Sequence, residues 1–289
     1  MTPESFDAAE RLIGDVPQIG SLPVAFTELS KLVDSPSATA EDAARAVCTD
    51  PALTAQILRL ANSPAYGGVN IQTVPRAVAH LGLRSLRELA LASSVVHMFR
   101  FMPENVLNMD LFWRHSLATA LCAQELGKQL RRPASDGVFV AGLLHDIGTL
   151  LLCVQVPRVA RRLLMQTQND QLPAEQVEQS VLGTNHATLG QVLLQRWNLP
   201  MEYQIAVGFH HHPTAAPGFQ HTTALVHVAD VIVEGIALGG SGQLVVPTLD
   251  PQVVAKLGLR PHMLAPVIDA LEANFEDTVV AMFPKRAAA

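Results

Sequence analysis

The stretch AGLLHDIGTLLL, residues 141–152, places a histidine and an aspartate, His145 and Asp146, side by side in an apolar run. Seven of the ten residues flanking the pair are Ala, Leu or Ile, so the pair is expected to be buried. Burying a carboxylate beside an imidazole costs several kcal/mol unless a metal or a partner charge compensates. The run belongs to the most apolar segment of the chain, Val138 to Val156. A charged pair at the centre of that segment would be costly in lipid, so it reads as a helix in the core of a protein rather than as a membrane span.

Eight of the eleven histidines lie between His115 and His227. His115, His145, Asp146, His186, His210, His211 and Asp230 follow one another in an order that could build a two-metal site. Imidazole suits zinc, iron and nickel, and a carboxylate can bridge two ions. Each of these residues falls in or at the end of a predicted helix. Four or five helices would deliver one or two ligands each, which is how helical bundles assemble metal sites. A buried polar network without metal is the competing reading of the same residues. His80, His97, His221 and His262 read as ordinary core or surface histidines. His227, one turn before Asp230, is placed to orient it. His212, at a helix end before a proline, reads as solvent-facing.

The rest of the 289-residue chain fits an all-α protein. Ala and Leu are abundant, whereas Tyr and Trp number two each, which favours helix over sheet. The best strand candidate, Gln243 to Val246, is short and isolated. Half the chain is hydrophobic (49%) and only 16% is charged, which argues against disorder. A net charge of −6 gives no general attraction to nucleic acid or anionic lipid. Arg158, Arg161 and Arg162 read as a solvated helix face. Cys48, Cys122 and Cys153 form no CxxC and sit among apolar neighbours, so buried free thiols in a reducing cytoplasm are expected. No apolar stretch follows a basic region at the N-terminus, so no signal peptide is expected.

Capping and proline signals divide the chain. Val24 to Val33 has helical spacing. Ser37 or Thr39 caps the next helix, with Glu41 and Asp42 in its first turn. Asp50-Pro51 opens a helix over Ala52 to Ala61. A helix from Pro75 to Leu81 stops at Gly82, and another covers Ser85 to Phe99. Met102 to Asn108 reads as a linker. Beyond it, helices are expected over Asp110 to Leu130, from an Asp136 cap through Cys153, and over Arg158 to Thr167, Ala174 to Leu182 and Met201 to His211. Thr184 or Asn185 starts a helix ending near Asn198, and Thr222 to Leu238 is broken by Gly239-Gly240-Ser241-Gly242. Short helices near Pro251 to Lys256 and Pro261 to Phe275 close the chain. This predicts a helical bundle of two subdomains, residues 13–101 and 109–238, followed by a helical extension, residues 243–289.

With these motifs in place, the chain is identified as resembling a known family. HDIG at 145–148, with an upstream histidine and a downstream aspartate, resembles the HD superfamily of metal-dependent phosphohydrolases. IGSLPVAF (19–26), TDPALTAQILRLANSPAYG (49–67) and VPRAVAHLGLRSLRELAL (74–91) resemble the HDOD domain, an HD-related output domain of bacterial signalling proteins. The resemblance runs from about Ile13 to at least His212, and through Asp230. It implies an all-helical, regulatory protein whose C-terminal subdomain is HD-like. By the pattern of the related HD-GYP phosphodiesterases, it further implies that His115, His145, Asp146 and Asp230 hold one metal. His186, His210 and His211 would hold a second, with Asp146 bridging. His186 opens HATLG, similar to the family's HxxxG segment.

The chain also departs from the catalytic pattern. Thr149 stands where active relatives carry a lysine, removing a cation that would contact phosphate. HHHPTAAPGF (210–219) lacks the acidic residue and the Gly-Tyr-Pro signature. Leu111 stands where some relatives place a glutamate ligand. The resemblance thus implies one or two divalent ions (iron, manganese or zinc) in a shell whose substrate recognition is eroded. It implies a cytoplasmic regulator that contacts signalling proteins of two-component or cyclic-dinucleotide pathways, binds neither nucleic acid nor membrane, and is open to self-association. The competing expectation is a metal-dependent phosphohydrolase acting on cyclic dinucleotides or other phosphoesters. A third is a metal or nucleotide sensor in which binding shifts the packing of the subdomains.

Overall fold

The computed structural model describes residues 2–14, 22–33, 35–99, 106–131, 135, 137–243 and 245–283. Every extended regular element among them is a helix, and no strand occurs among the described residues, Gln243, Val245 and Val246 included.

In chain order the helices are α1 (Pro3–Ile13), α2 (Val24–Val33), α3 (Ala40–Val47), α4 (Pro51–Ala61), α5 (Val74–Phe99), α6 (Met109–Gln129), α7 (Val138–Leu144) and α8 (Ile147–Gln155). They continue as α9 (Pro157–Asp170), α10 (Ala174–Leu182), α11 (His186–Arg196), α12 (Met201–Phe209), α13 (Gln220–Gly235), α14 (Pro251–Leu257) and α15 (Leu264–Met282). The chain divides into two compact units. One comprises residues 1–19 and 101–268, the other residues 20–100 and 269–289.

In the unit formed by residues 20–100 and 269–289, the boundaries follow the predicted caps. The Thr39 side chain accepts from the Asp42 amide while Asp42 takes the Thr39 amide, closing a capping box. Asp50 accepts from the amides of Ala52 and Leu53 ahead of Pro51. Gly82 interrupts α5 with φ +82°, a conformation that L side chains rarely adopt. It therefore separates the two helices the sequence predicts there. Packing of α2, α3 and α4 on α5 buries Leu29, Val47, Ile57, Leu60, Leu86 and Leu89. After α4, the Asn62 side chain both donates to the Ile71 carbonyl (2.8 Å) and accepts from its amide (2.6 Å), closing the loop that contains Gly67 and Gly68.

The other unit carries the His-Asp cluster. Here α6 packs on α7 and α13, α11 packs on α8 and α12, and α1 packs on α11. Two of these contacts depend on missing side chains. A Cβ on Gly142 would lie 2.7 Å from Ala120 Cα, so α6 and α7 approach almost backbone to backbone. A Cβ on Gly148 would lie 1.9 Å from the His186 carbonyl oxygen, and one on Gly190 would lie 3.2 Å from Ile147 Cγ2. The glycines of HDIG and HATLG thus set how closely α8 meets α11.

The structure corrects three expectations about local structure. The helix expected through Cys153 is two helices, because Asp146 (φ −98°, ψ 12°) leaves helical geometry at the head of α8. The break lets both side chains of the pair reach one point, whereas neighbours on a continuous helix diverge by about 100°. The Asp136 cap lies outside the described residues, as does most of the Met102–Asn108 linker; Gly137 occupies the cap position of α7. Similarly, α12 stops at Phe209, so His210 and His211 stand in the turn beyond it. Among the cysteines, Cys122 and Cys153 are buried free thiols, but Cys48 is exposed at the end of α3. The apolar segment Val138–Gln155 is long and apolar enough to cross a membrane, yet 83% of it is buried inside the protein. Other helices cover it.

Candidate metal centre

All seven sequence-derived residues converge. His115 comes from α6, His145 from the end of α7, Asp146 from the head of α8 and His186 from the first position of α11. His210 and His211 follow α12, and Asp230 lies in α13. The first group is compact. His115 Nε2 lies 3.2 Å from Asp230 Oδ1, 3.3 Å from His145 Nε2 and 3.9 Å from Asp146 Oδ2. His145 Nε2 lies 3.3 Å from Asp146 Oδ2 and 3.5 Å from Asp230 Oδ1. In the second group, His186 Nε2 is 2.8 Å from His211 Nε2 and 3.3 Å from Asp146 Oδ1. His210 Nε2 is 3.7 Å from the same Asp146 oxygen. Asp146 therefore turns Oδ2 to one group and Oδ1 to the other.

Hydrogen bonds at the opposite ring nitrogens fix what these atoms can do. His145 Nδ1 faces the Gly142 carbonyl at 2.7 Å, and His210 Nδ1 faces the Val207 carbonyl at 2.7 Å. A carbonyl only accepts, so both Nδ1 atoms carry the proton. His186 Nδ1 donates to Glu178 Oε2 at 2.7 Å, and the same oxygen accepts the His186 amide at 2.7 Å. The Nε2 atoms of His145, His186 and His210 are left to present lone pairs to one another and to two carboxylates. Among these atoms, Asp146 Oδ1 and His210 Nε2 are buried and make no hydrogen bond. Such a collection of acceptors is unfavourable unless protons or cations sit among them. The nitrogen and carboxylate donor set fits a transition-metal cation. His/Asp groups here could bind a metal: His115, His145 and Asp146 form one, and His186, His210 and His211 another.

The titration behaviour says the same. Burial opposes charge on His145, but Asp146 and Asp230 outweigh it and hold the ring well above its ordinary value. Burial also opposes charge on His186, yet Glu178 and then Asp146 raise it to about 9. For His210, burial and the neighbouring His145 push it down to about 4, and His211 is depressed by burial, His210 and His186. Burial works against the Asp146 and Asp230 carboxylates, but the surrounding imidazoles keep both below the ordinary range.

These shifts predict a stability optimum for chelator-treated protein. His145 and His186 are raised in the fold, so their contribution is complete below the unfolded histidine value of 6.5 and is lost as pH rises through about 9. His210 and His211 are depressed. They stay neutral in the fold while the unfolded chain protonates, so stability also falls as pH drops below 6.5. Asp146 and Asp230 add to the loss near and below pH 4. Thermal melts in chelator between pH 4 and 9.5 should therefore peak near pH 6–7 and fall on both sides. Metal-loaded protein should lose the alkaline decline, because the ion replaces the protons. A flat profile from pH 5 to 9 without metal would contradict this assignment.

Sequence reading missed two carboxylates. Glu178 on α10 orients His186, eight residues on, and Glu234 on α13 lies 3.8 Å from His115 Nδ1 and accepts from Ser241 Oγ. Glu234 follows Asp230 by one helical turn, a spacing that could have suggested it; Glu178 has no such signal. His227 has a different role from the one expected. Its Nδ1 donates to the His210 carbonyl (2.8 Å) and its Nε2 accepts from the Asp250 amide (3.0 Å), so it anchors the backbone of a cluster residue. His212 pairs with Glu175 at 3.3 Å and is mostly exposed.

An all-helical protein with this cluster matches known proteins over nearly all its length. The HDOD domain family matches residues 19–213, and the chain belongs to that family. An HDOD domain protein from Geobacter sulfurreducens is similar in fold, with 24% identity and a TM-score of 0.79 over 97% of this chain and 99% of that one. A protein of Shewanella amazonensis SB2B, named as a suggested phosphohydrolase, matches at 24% identity and a TM-score of 0.72 over 95% and 97% of the two chains. A Treponema pallidum (strain Nichols) protein described as uncharacterized is 27% identical over 208 residues. That match covers 71% of this chain but 39% of the relative's length.

Proposed function

We propose that this chain is a cytoplasmic signalling protein that acts through contacts with other signalling proteins, of two-component or cyclic-dinucleotide pathways. In this reading His115, His145, Asp146 and Asp230, together with His186, His210 and His211, hold one or two divalent ions as a structural centre. Iron, manganese and zinc suit the donor set.

The observation that carries the reading is the enclosure of the cluster. His115, His145, Asp146, His186, His210 and Asp230 are each at most 2% exposed, and only His211 is half-buried. A phosphodiester approaching the cluster has no broad face of it to meet. The residue that would be a phosphate-contacting lysine in active relatives is Thr149. It packs with Leu163, Thr167 and Glu178 around a cavity of about 10 Å³, too small for a substrate group. Removing one electrostatic contact to a transition state costs on the order of 100-fold or more in rate.

A specific feature favours the second reading, a metal-dependent phosphohydrolase. Asp146 offers one oxygen to each group, as a bridging ligand would. Bound ions would supply Lewis-acid polarisation and an acidified water. The experiment that separates the readings is steady-state turnover of cyclic di-GMP and of generic phosphodiesters by protein loaded with manganese or iron under anaerobic conditions. Turnover at the level of the protein-free control is expected. Robust turnover that disappears in Asp146→Ala would overturn the regulatory reading.

A further inference from the structure

A closed centre needs a route by which its ions arrive, and six of its seven residues are at most 2% exposed. Beside the first turn of α6 lies a cavity of about 590 Å³. A divalent ion carrying six waters of about 30 Å³ each fills roughly 200 Å³, so the cavity admits it still hydrated. None of the seven cluster residues lines the cavity, but Glu234 does. Glu234 also reaches the centre: one donor atom each from His115, Asp230 and Glu234 lie within 4.8 Å of one another.

His115 is placed to face two ways. The Nδ1 atoms of His145, His186 and His210 are each tied to an acceptor at 2.7 Å. His115 Nδ1 instead has Glu234 Oε1 at 3.8 Å. That gap is too long for a hydrogen bond, yet it fits two donors each about 2.1 Å from a shared ion. On its other side, His115 Nε2 lies 3.2 Å from Asp230 Oδ1 and 3.3 Å from His145 Nε2. His115 and Asp230 thus belong both to the inner donor set and to the outer one. Ser241 Oγ donates to Glu234 Oε1 and holds the carboxylate in place. The Glu234 side chain is 11% exposed, against 1% for His115 and 3% for Asp230. Arg161 also lines the cavity, but it is exposed and engaged in an interaction of its own. Half-buried His211 gives a second approach. There Glu175, whose charge reaches His186 and His210, is already paired with His212 at 3.3 Å.

We propose that Glu234, with His115 and Asp230, forms an outer cation site through which divalent ions pass from this cavity into the closed centre. The proposal rests on the reading of the seven residues as a metal centre. Stripping a hydrated ion of its waters in one step is costly. Glu234 replaces water first, at the cavity side, and His115 and Asp230 follow. Those two remain as ligands while His145 and Asp146 take over from Glu234. No stage leaves the cation without oxygen or nitrogen donors. The outer site is occupied in transit and adds no ion to the loaded protein, so Glu234 speeds passage in both directions.

The test uses zinc as the probe ion and the full chain, stripped by chelator. Stopped-flow mixing with a zinc indicator reads uptake, transfer to excess chelator reads release, and competition titration reads equilibrium affinity and stoichiometry. Glu234→Gln keeps the size of the side chain and an acceptor for Ser241 while removing the charge. It should slow uptake about tenfold or more, slow release in proportion, and leave affinity within about threefold of the parent. Leu111→Trp, which narrows the cavity at a residue 44% exposed, should slow both rates as well and leave affinity unchanged. A resident ligand or orienting partner of His115 would behave in the opposite way: its loss would speed release and weaken affinity. Faster release from Glu234→Gln, or the loss of one ion from its stoichiometry, would therefore overturn the proposal. So would variants that load and release zinc at the parent's rates, with the metal centre itself left standing. A parent that binds no zinc at all would overturn both.

Discussion

The Asp146→Ala protein should bind divalent metal on the order of 100-fold more weakly than the parent or worse, while His212→Ala should bind it as the parent does. Replacing an outer partner of a ligand typically costs 10–100-fold in affinity, and Asp146 is closer to the centre than that. Its two oxygens face the two groups separately, Oδ2 at 3.3 Å from His145 Nε2 and Oδ1 at 3.3 Å from His186 Nε2. Alanine removes a donor from both groups at once. It also removes the anion that balances His145 and His186, so mutual repulsion of the buried imidazoles should add to the loss. His212 is the contrasting neighbour, exposed and paired with Glu175 outside the cluster. Metal analysis by plasma mass spectrometry of the three proteins, purified without chelator, reads the effect directly. Equal metal content in both variants would remove Asp146 from its bridging role. A parent protein that retains no iron, manganese or zinc on loading would remove the metal centre altogether.

Gly148→Ala should lower stability by about 3 kcal/mol or more, at or beyond the upper end of ordinary overpacking costs. A methyl there would overlap the His186 carbonyl oxygen at 1.9 Å and lie 2.8 Å from the Gly190 amide nitrogen, both backbone atoms with no rotamer to change. Relief requires α8 to move away from α11. That movement would carry His186 away from Asp146, so metal affinity should fall with stability. In thermal melts the expected drop is roughly 6–12 °C, taking 2–4 °C per kcal/mol for a unit of this size. Gly235 supplies the control. It ends α13 with nothing within 4 Å of a Cβ placed there, and Gly235→Ala should be neutral or slightly stabilising. A Gly148→Ala protein that melts within a degree of the parent and keeps its metal would show that the helix contact does not set the site.

The helices were largely readable because their ends carry local chemistry. Thr39, Asp50 and Asn185 cap with their own side chains, and Gly82 adopts a positive φ that few other residues would. The seven cluster residues were readable because histidine and aspartate in an apolar run need a reason to be there. What escaped was set by tertiary contact. Glu178 belongs to an amphipathic helix rich in polar residues, and only the fold shows that it turns inward to His186. The break at Asp146 leaves no glycine or proline to mark it, because the cluster itself draws both side chains to one point. His227 looked like a partner for Asp230 because the two are three residues apart on α13. Its ring nitrogens are instead taken by the His210 carbonyl and the Asp250 amide, and α14 follows Asp250 directly. The association of α1 with α11 joins residues far apart in sequence and has no local signature.

His145 and His210 are tied in the same way, each ring donating to the carbonyl three residues earlier in its own helix, Gly142 and Val207. Each imidazole is therefore aimed by the last turn that precedes it, before any ion arrives. The entropy of ordering these side chains is spent during folding, so an incoming ion meets a preorganised cage and little of its binding energy goes to freezing rotamers. A cage with fixed bite distances also resists distortion toward the tetragonal geometry that copper prefers. Discrimination among ions would then rest on coordination geometry more than on the Irving–Williams ranking of intrinsic affinities.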